Sequence, residues 1–145
     1  MPFFVTIATS VDDRERCFRL RREVFVDEQH VPIELEIEDD EDHYTHLLLL
    51  DEHGAAVATA RLAILDHAAK AQRVAVAKPM RGKGAGAAVM QALHDEARRH
   101  GRTRVVLSAQ VTAIPFYERL GYVASGDVYD DAGIPHRDMS VTLLD

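Results

Sequence analysis

The stretch Arg81-Gly82-Lys83-Gly84-Ala85-Gly86 is where residue types and spacing point most directly to chemistry. An apolar run, Arg73-Val74-Ala75-Val76, leads into it through Ala77-Lys78-Pro79-Met80, and a helical segment follows that ends near His100-Gly101. A strand feeding a glycine-rich turn that opens a helix is a phosphate-binding device. Glycine lets the backbone turn freely and approach a ligand closely. The helix's first N–H groups lack intrahelical partners, and its macrodipole adds partial positive charge at the same end. Arg81 and Lys83 bring full charges to that spot in a chain whose net charge is −7.

Three phosphate loops compete for the stretch. A P-loop needs Ser or Thr after the lysine that follows its second glycine; here Gly84 follows Lys83, so that reading fails. The dinucleotide fingerprint of a nucleotide-dependent oxidoreductase is met in letters by Gly82-x-Gly84-x-x-Ala87. It also requires an acid about 20 residues on, near the end of the next strand. The next strand candidate, Arg104-Val105-Val106-Leu107-Ser108-Ala109, has none, and too little chain remains for a second nucleotide-binding half. The third reading rests on a resemblance: Arg81-x-x-Gly84-x-Gly86 after the Val74-Ala75-Val76 strand is similar to an acyl-CoA loop, and a second motif downstream supports it.

The elements that would position this loop follow from periodicity and turn chemistry. Phe3 to Ala8 is apolar and β-branched, a first strand. Ser10 with Asp13 marks a helix start; Cys17, Leu20 and Val24 repeat at helical spacing, and the helix should reach about Phe25 or Asp27. From Glu34 to Asp42 seven of nine residues are acidic, which favours a loop or short helix with a solvated face. Arg14, Arg16, Arg19, Arg21 and Arg22 form a basic face that would balance it. Thr45–Leu50, Ala55–Leu65 and Lys70–Val76 read as strands joined by short connections, hence antiparallel, with Gly54 in a tight turn. The helix from Gly84 to His100 puts Ala85, Ala88, Val89, Ala92, Leu93 and Ala97 on one face, closed by Gly101. Arg104–Ala109 follows a crossover helix and should run parallel to Lys70–Val76. A short helix follows, with Thr112 as cap, Pro115 in its first turn and Phe116 and Leu120 on its inner face beside Tyr117. Met139, Val141 and Leu143 alternate with polar residues after the Asp130–Gly133 turn, so the chain ends in a hairpin with Tyr122–Tyr129.

At 145 residues, with 47% hydrophobic and 28% charged residues, the chain suits a single domain spanning residues 1–145. Its 24 acids against 17 Lys plus Arg argue against nucleic acid or an anionic membrane as partner. The start has no signal-peptide pattern, no stretch matches a membrane span, and the lone Cys17 suits a reducing cytoplasm. Eight scattered histidines offer no metal-ligand spacing, so no metal is expected.

The second motif is Ala113-x-x-Phe116-Tyr117-x-x-x-Gly121-Tyr122. With Arg81-x-x-Gly84-x-Gly86 about 30 residues before it, the chain resembles the GNAT N-acetyltransferase family over nearly its whole length. Val24-Phe25-Val26-x-Glu28-Gln29, Leu107-Ser108-Ala109-Gln110 and Ala132-Gly133-Ile134-Pro135-His136 are similar to an ElaA/YjcF-like branch. The resemblance implies an α/β (α+β) fold with a mixed sheet of about six to seven strands, mostly antiparallel, flanked by helices, and one parallel pair splayed at the CoA site. It implies acetyl transfer from acetyl-CoA to a primary amine of a small molecule or peptide. On that pattern, backbone N–H groups of Arg81, Gly82, Lys83, Gly84, Ala85 and Gly86 hold the CoA diphosphate, and Val74, Ala75 and Val76 pair with the pantetheine arm. Gln110 stands where many members carry an Asn against CoA, beside Phe116. Tyr117 is the general acid. Many members place a Glu base on the strand before the loop, where this chain has Gln72, so Glu28 with an ordered water takes that role. Glu28, Gln29 and His136 would line the acceptor site. The rival from another class is a non-catalytic acyl-CoA-binding module, and assembly as a homodimer stays open.

Overall fold

The computed structural model describes residues 2–38 and 40–144. Among them, seven strands form one sheet in the order β1-β2-β3-β4-β5-β7-β6. The strands are β1 Phe4–Ile7, β2 Thr45–Leu50, β3 Ala56–Ile64, β4 Ala69–Val76, β5 Arg104–Gln110, β6 Val123–Asp131 and β7 Ile134–Thr142. All neighbours are antiparallel except β4 and β5, as expected for strands separated by a crossover helix. The β6–β7 hairpin turns at Ala132 and Gly133, both with positive φ (53° and 81°), which matches the right-handed strand twist.

Helix α3, Ala85–Arg99, supplies that crossover and packs on one face of the sheet. Five of its six expected core positions are buried and Ala88 is partly buried; Met90 and His94 widen the stripe. Its alanines permit close approach to Leu47, Leu62 and Leu107 beneath. The helix ends in a Schellman motif: Gly101 N–H donates to the Arg98 carbonyl at 2.9 Å and Arg102 N–H to the Ala97 carbonyl at 3.0 Å. Gly101 adopts φ 73°, which glycine takes without strain.

Helix α1, Val11–Arg21, covers the opposite face over β2–β4, burying Cys17 and Leu20 against Leu48. The Ser10 hydroxyl caps it by accepting from Asp13 N–H at 3.1 Å. It continues as a π-helical stretch, Arg22–Glu28, and Pro32 then precedes the short α2, Ile33–Glu36. After Gln110, a 3-10 turn (Val111–Ala113) leads into α4, Ile114–Arg119. Two local expectations fail here. Ala113, not Thr112, occupies the cap position, without a side-chain bond, because the preceding 3-10 turn already includes Thr112. Tyr117, not Phe116, is the buried residue of α4.

The acidic run is the larger correction, with Asp39 lying outside the described residues. It is not simply a solvated face. Arg21 and Arg61 are each 1% exposed and need counter-charges. The run turns inward to provide them. Arg21 Nε donates to Glu36 at 2.6 Å, and Arg21 Nη2 and Arg61 Nη1 donate to Glu41 at 2.8 and 3.0 Å. Arg73 Nη2 reaches Glu38 at 3.2 Å. Of the basic face, Arg21 thus leaves the surface, while Arg14 pairs with Asp42.

Candidate active site

The site begins where β4 and β5 part. Their pairing covers only Ala69–Val105, Lys70–Val106 and Ala71–Leu107. Beyond it β4 stays with β3 as far as Ala58–Val76, and β5 stays with β7 as far as Gln110–His136. A bulge opens the fork: Arg73 takes φ 51° and the β3–β4 register slips between Thr59 and Arg61. A bulge bends its strand, here away from β5. The β4 edge at Val74–Val76 is left without a strand partner on that side, facing a cavity of about 600 Å³.

At the end of β4 the glycine loop turns into α3. Gly82 and Gly84 adopt φ 78° and 86°. The first α3 bond is Ala88 N–H to the Gly84 carbonyl at 3.0 Å, so the N–H groups of Ala85, Gly86 and Ala87 have no helical acceptor. Gly82, Lys83 and Gly84 are exposed, whereas Ala85 is 1% exposed and offers a ligand only its backbone. Gly86 joins the two motifs: a Cβ there would lie 3.0 Å from the Phe116 ring. A larger residue would push Phe116 out of the cavity both line.

Arg81 is not a free cation. Its Nη1 and Nη2 donate to Glu28 at 2.6 and 2.7 Å, and its Nε donates to the Val76 carbonyl at 3.1 Å. The pairing holds the Glu28 carboxyl below the usual carboxylate range. Glu28 therefore faces Arg81 and is absent from the cavity wall that holds its neighbour Gln29. Gln29 Oε1 accepts from Gln110 Nε2 at 2.8 Å, so consecutive residues tie the π-helical stretch to the loop and to the end of β5.

Tyr117 is 8% exposed and lines the cavity. Phe116 and Tyr122 meet its ring edge-on, with centroids at 5.0 and 5.6 Å. Burial pushes its phenol up to about 12. Behind it Tyr122 and His94 share a buried 2.7 Å hydrogen bond on the core side, away from the cavity wall. His136 also lines the cavity; its Nδ1 meets the Ile134 carbonyl at 2.7 Å and its ring stacks on Tyr129.

Sequence reasoning missed three wall features. Behind the wall Arg61 grips the carbonyl oxygen of cavity-lining Gln72 and Tyr129 bridges Ser108 and Asp138, while half-buried Lys70 is itself a lining residue. The signal was present: buried Ala69, Ala71 and Ala109 alternate with Lys70, Gln72, Ser108 and Gln110, giving the sheet a polar face beside the fork.

Comparison with known proteins accords with this geometry. Residues 8–143 match the acetyltransferase (GNAT) domain family. The uncharacterized N-acetyltransferase YjcF of Bacillus subtilis is 38% identical over 134 residues, covering 92% of this chain and 95% of that one. The crystal structure of a candidate N-acetyltransferase from Lactobacillus plantarum superposes with a TM-score of 0.91 at 28% identity, covering 99% of this chain and 100% of that one. Escherichia coli ElaA superposes with a TM-score of 0.78 at 26% identity, covering 96% and 97%. With both motifs, the forked parallel pair and these relatives in agreement, the chain belongs to the GNAT family of acetyltransferases and is an acyltransferase.

Proposed function

We propose that the chain moves an acetyl group from acetyl-CoA directly to a primary amine while both are bound. The observation that carries this reading is the fork itself: an unpaired strand edge at Val74–Val76 running into a loop whose helical N–H groups lack acceptors. The strand edge suits the amides of a pantetheine arm, and the helix start suits a diphosphate. Bound acetyl-CoA supplies a thioester whose carbonyl carbon an amine nitrogen attacks, with the thiolate leaving as the C–S bond breaks. The β4 amides polarise that carbonyl by donating to its oxygen.

Tyr117 assists the departing sulfur by donating a hydrogen bond. Its phenol, pushed up to about 12 by burial, stays protonated and available as a donor to the leaving sulfur. Glu28, committed to Arg81, is a weakened base, and we assign it to fixing Arg81 against β4. His136 takes the amine's proton instead. With Nδ1–H donating to the Ile134 carbonyl, the neutral ring keeps an Nε2 lone pair in a cavity-lining side chain. Buried Cys17, without a disulfide, supports a reducing compartment such as the cytoplasm.

The test is thiol release from acetyl-CoA with a panel of primary amines, with the acetylated product identified by mass spectrometry. Amine-dependent release is expected. Tight CoA binding without release for any amine would instead mark a non-catalytic acyl-CoA-binding module.

A further inference from the structure

We propose that the acceptor is an amine that also carries a carboxylate, held at that end by Lys70 and the Gln72 amide. The inference rests on the transferase reading and adds the acceptor's class. Three observations carry it. First, the cavity carboxylates Glu36 and Glu38 are already matched, by Arg21 at 2.6 Å and by Arg73 at 3.2 Å. They hold little attraction for a further cation. Second, Lys70 lines the cavity half-buried and pairs with no carboxylate among the described residues. A cation facing a cavity in low dielectric attracts an anion strongly.

Third, the orientation of Gln72 is fixed. Arginine has only donors, so the two bonds from Arg61 Nε (3.1 Å) and Nη2 (2.8 Å) must end on the Gln72 carbonyl oxygen. Arg61 is 1% exposed and cannot move to release it without stranding its charge. The Gln72 –NH2 is left for the cavity, two residues along the same strand face from Lys70. An ammonium and an amide –NH2 side by side give one donor to each carboxylate oxygen. Asp131 and His136 also line the cavity: Asp131 sits exposed at the hairpin tip, and His136 lies one strand beyond β5. The floor beside the fork is therefore a surface of donors. A carboxylate there, with the chain extended along β4, points the amine toward Val74–Val76.

The test compares straight-chain aminoalkanoates from glycine upward, each against its methyl ester and the alkylamine left by decarboxylation. Acetylation rates are read together with acceptor binding by calorimetry to CoA-saturated protein. One aminoalkanoate is expected to have a KM at least about tenfold below those of its ester and alkylamine. Lys70→Met should erase that difference, and Lys70→Glu should favour the diamine of equal length; CoA affinity serves as the check on folding. Alkylamines or diamines outperforming every aminoalkanoate on the unaltered protein would overturn the proposal. So would a Lys70→Met change that moves all three compounds equally. Lys70-dependent binding without acetylation would keep the carboxylate site and sink the transferase reading; acetylation indifferent to Lys70 would do the reverse.

Discussion

Glu41→Gln probes the contact that holds the Glu36–Glu38 wall of the cavity in place. Glu41 Oε1 accepts from Arg21 Nη1 at 3.1 Å and Arg61 Nη1 at 3.0 Å, and its Oε2 accepts from Arg21 Nη2 at 2.8 Å. Burial pushes the carboxyl up, but the hydrogen bonds and charges of Arg21 and Arg61 outweigh it and bring it to about 2 from 4.5. That gap corresponds to about 3 kcal/mol of native-state stability. Because the folded value is depressed, the contribution is present above pH 4.5 and disappears as pH falls toward 2. The amide substitution keeps the shape and removes the charge, leaving Arg21 with Glu36 and Arg61 with Glu38. Losing about 3 kcal/mol is serious against a total of about 5–15 kcal/mol for a domain. Urea denaturation at a series of pH values measures it. The gap between the native sequence and Glu41→Gln should be about 3 kcal/mol at neutral pH and should close as pH falls below 4.5. Exposed Glu34→Gln is the control, with a change under about 0.5 kcal/mol. A Glu41→Gln change below about 1 kcal/mol, or one constant across pH, would refute the reasoning.

Other perturbations separate the remaining parts. Tyr117→Phe should lower kcat about 10- to 100-fold with CoA affinity little changed, as stopped-flow thiol release and calorimetry would report. Gly86→Val places side-chain atoms against the Phe116 ring 3.0 Å away and should weaken CoA binding at least about tenfold, with Phe116→Ala recovering part of the loss in the double variant. Burial lowers the pKa of His94, which pairs neutral with Tyr122; the unfolded chain therefore binds the extra proton first as pH falls below about 6.5. His94 should contribute up to about 1.4 kcal/mol per pH unit there, and His94→Gln should remove that share in urea titrations at pH 7.5 to 5.5, leaving the share of buried His46, whose pKa burial also lowers.

What could be read in advance follows from how far each contact reaches along the chain. The β4–loop–α3 unit was legible because its signals are local: an apolar run, glycines at positive φ and a helical stripe ending in Gly101. The parallel pairing followed from the crossover length, and α4 with its proline from turn chemistry. The acidic run was misread because its role depends on Arg21, Arg61 and Arg73, 15 to 37 residues away. One warning stood in the sequence: Arg61 is the one charged residue in a strand otherwise made of apolar residues and Thr59, and a buried guanidinium demands carboxylates from somewhere. The Glu28–Arg81 pair spans 53 residues, too far apart for either residue's neighbours to announce it. The Arg73 bulge had no sequence signal, because a positive φ at arginine is imposed by tertiary packing.

Backbone amide NMR during titration with acetyl-CoA tests the central claim most directly. The account predicts that the largest shifts fall on the N–H groups of Gly82–Ala87 and Val74–Val76, while those of β1 and the β6 edge stay still. Saturating acetyl-CoA that leaves the 82–87 amides unmoved, or that acts on another face of the sheet, would contradict it.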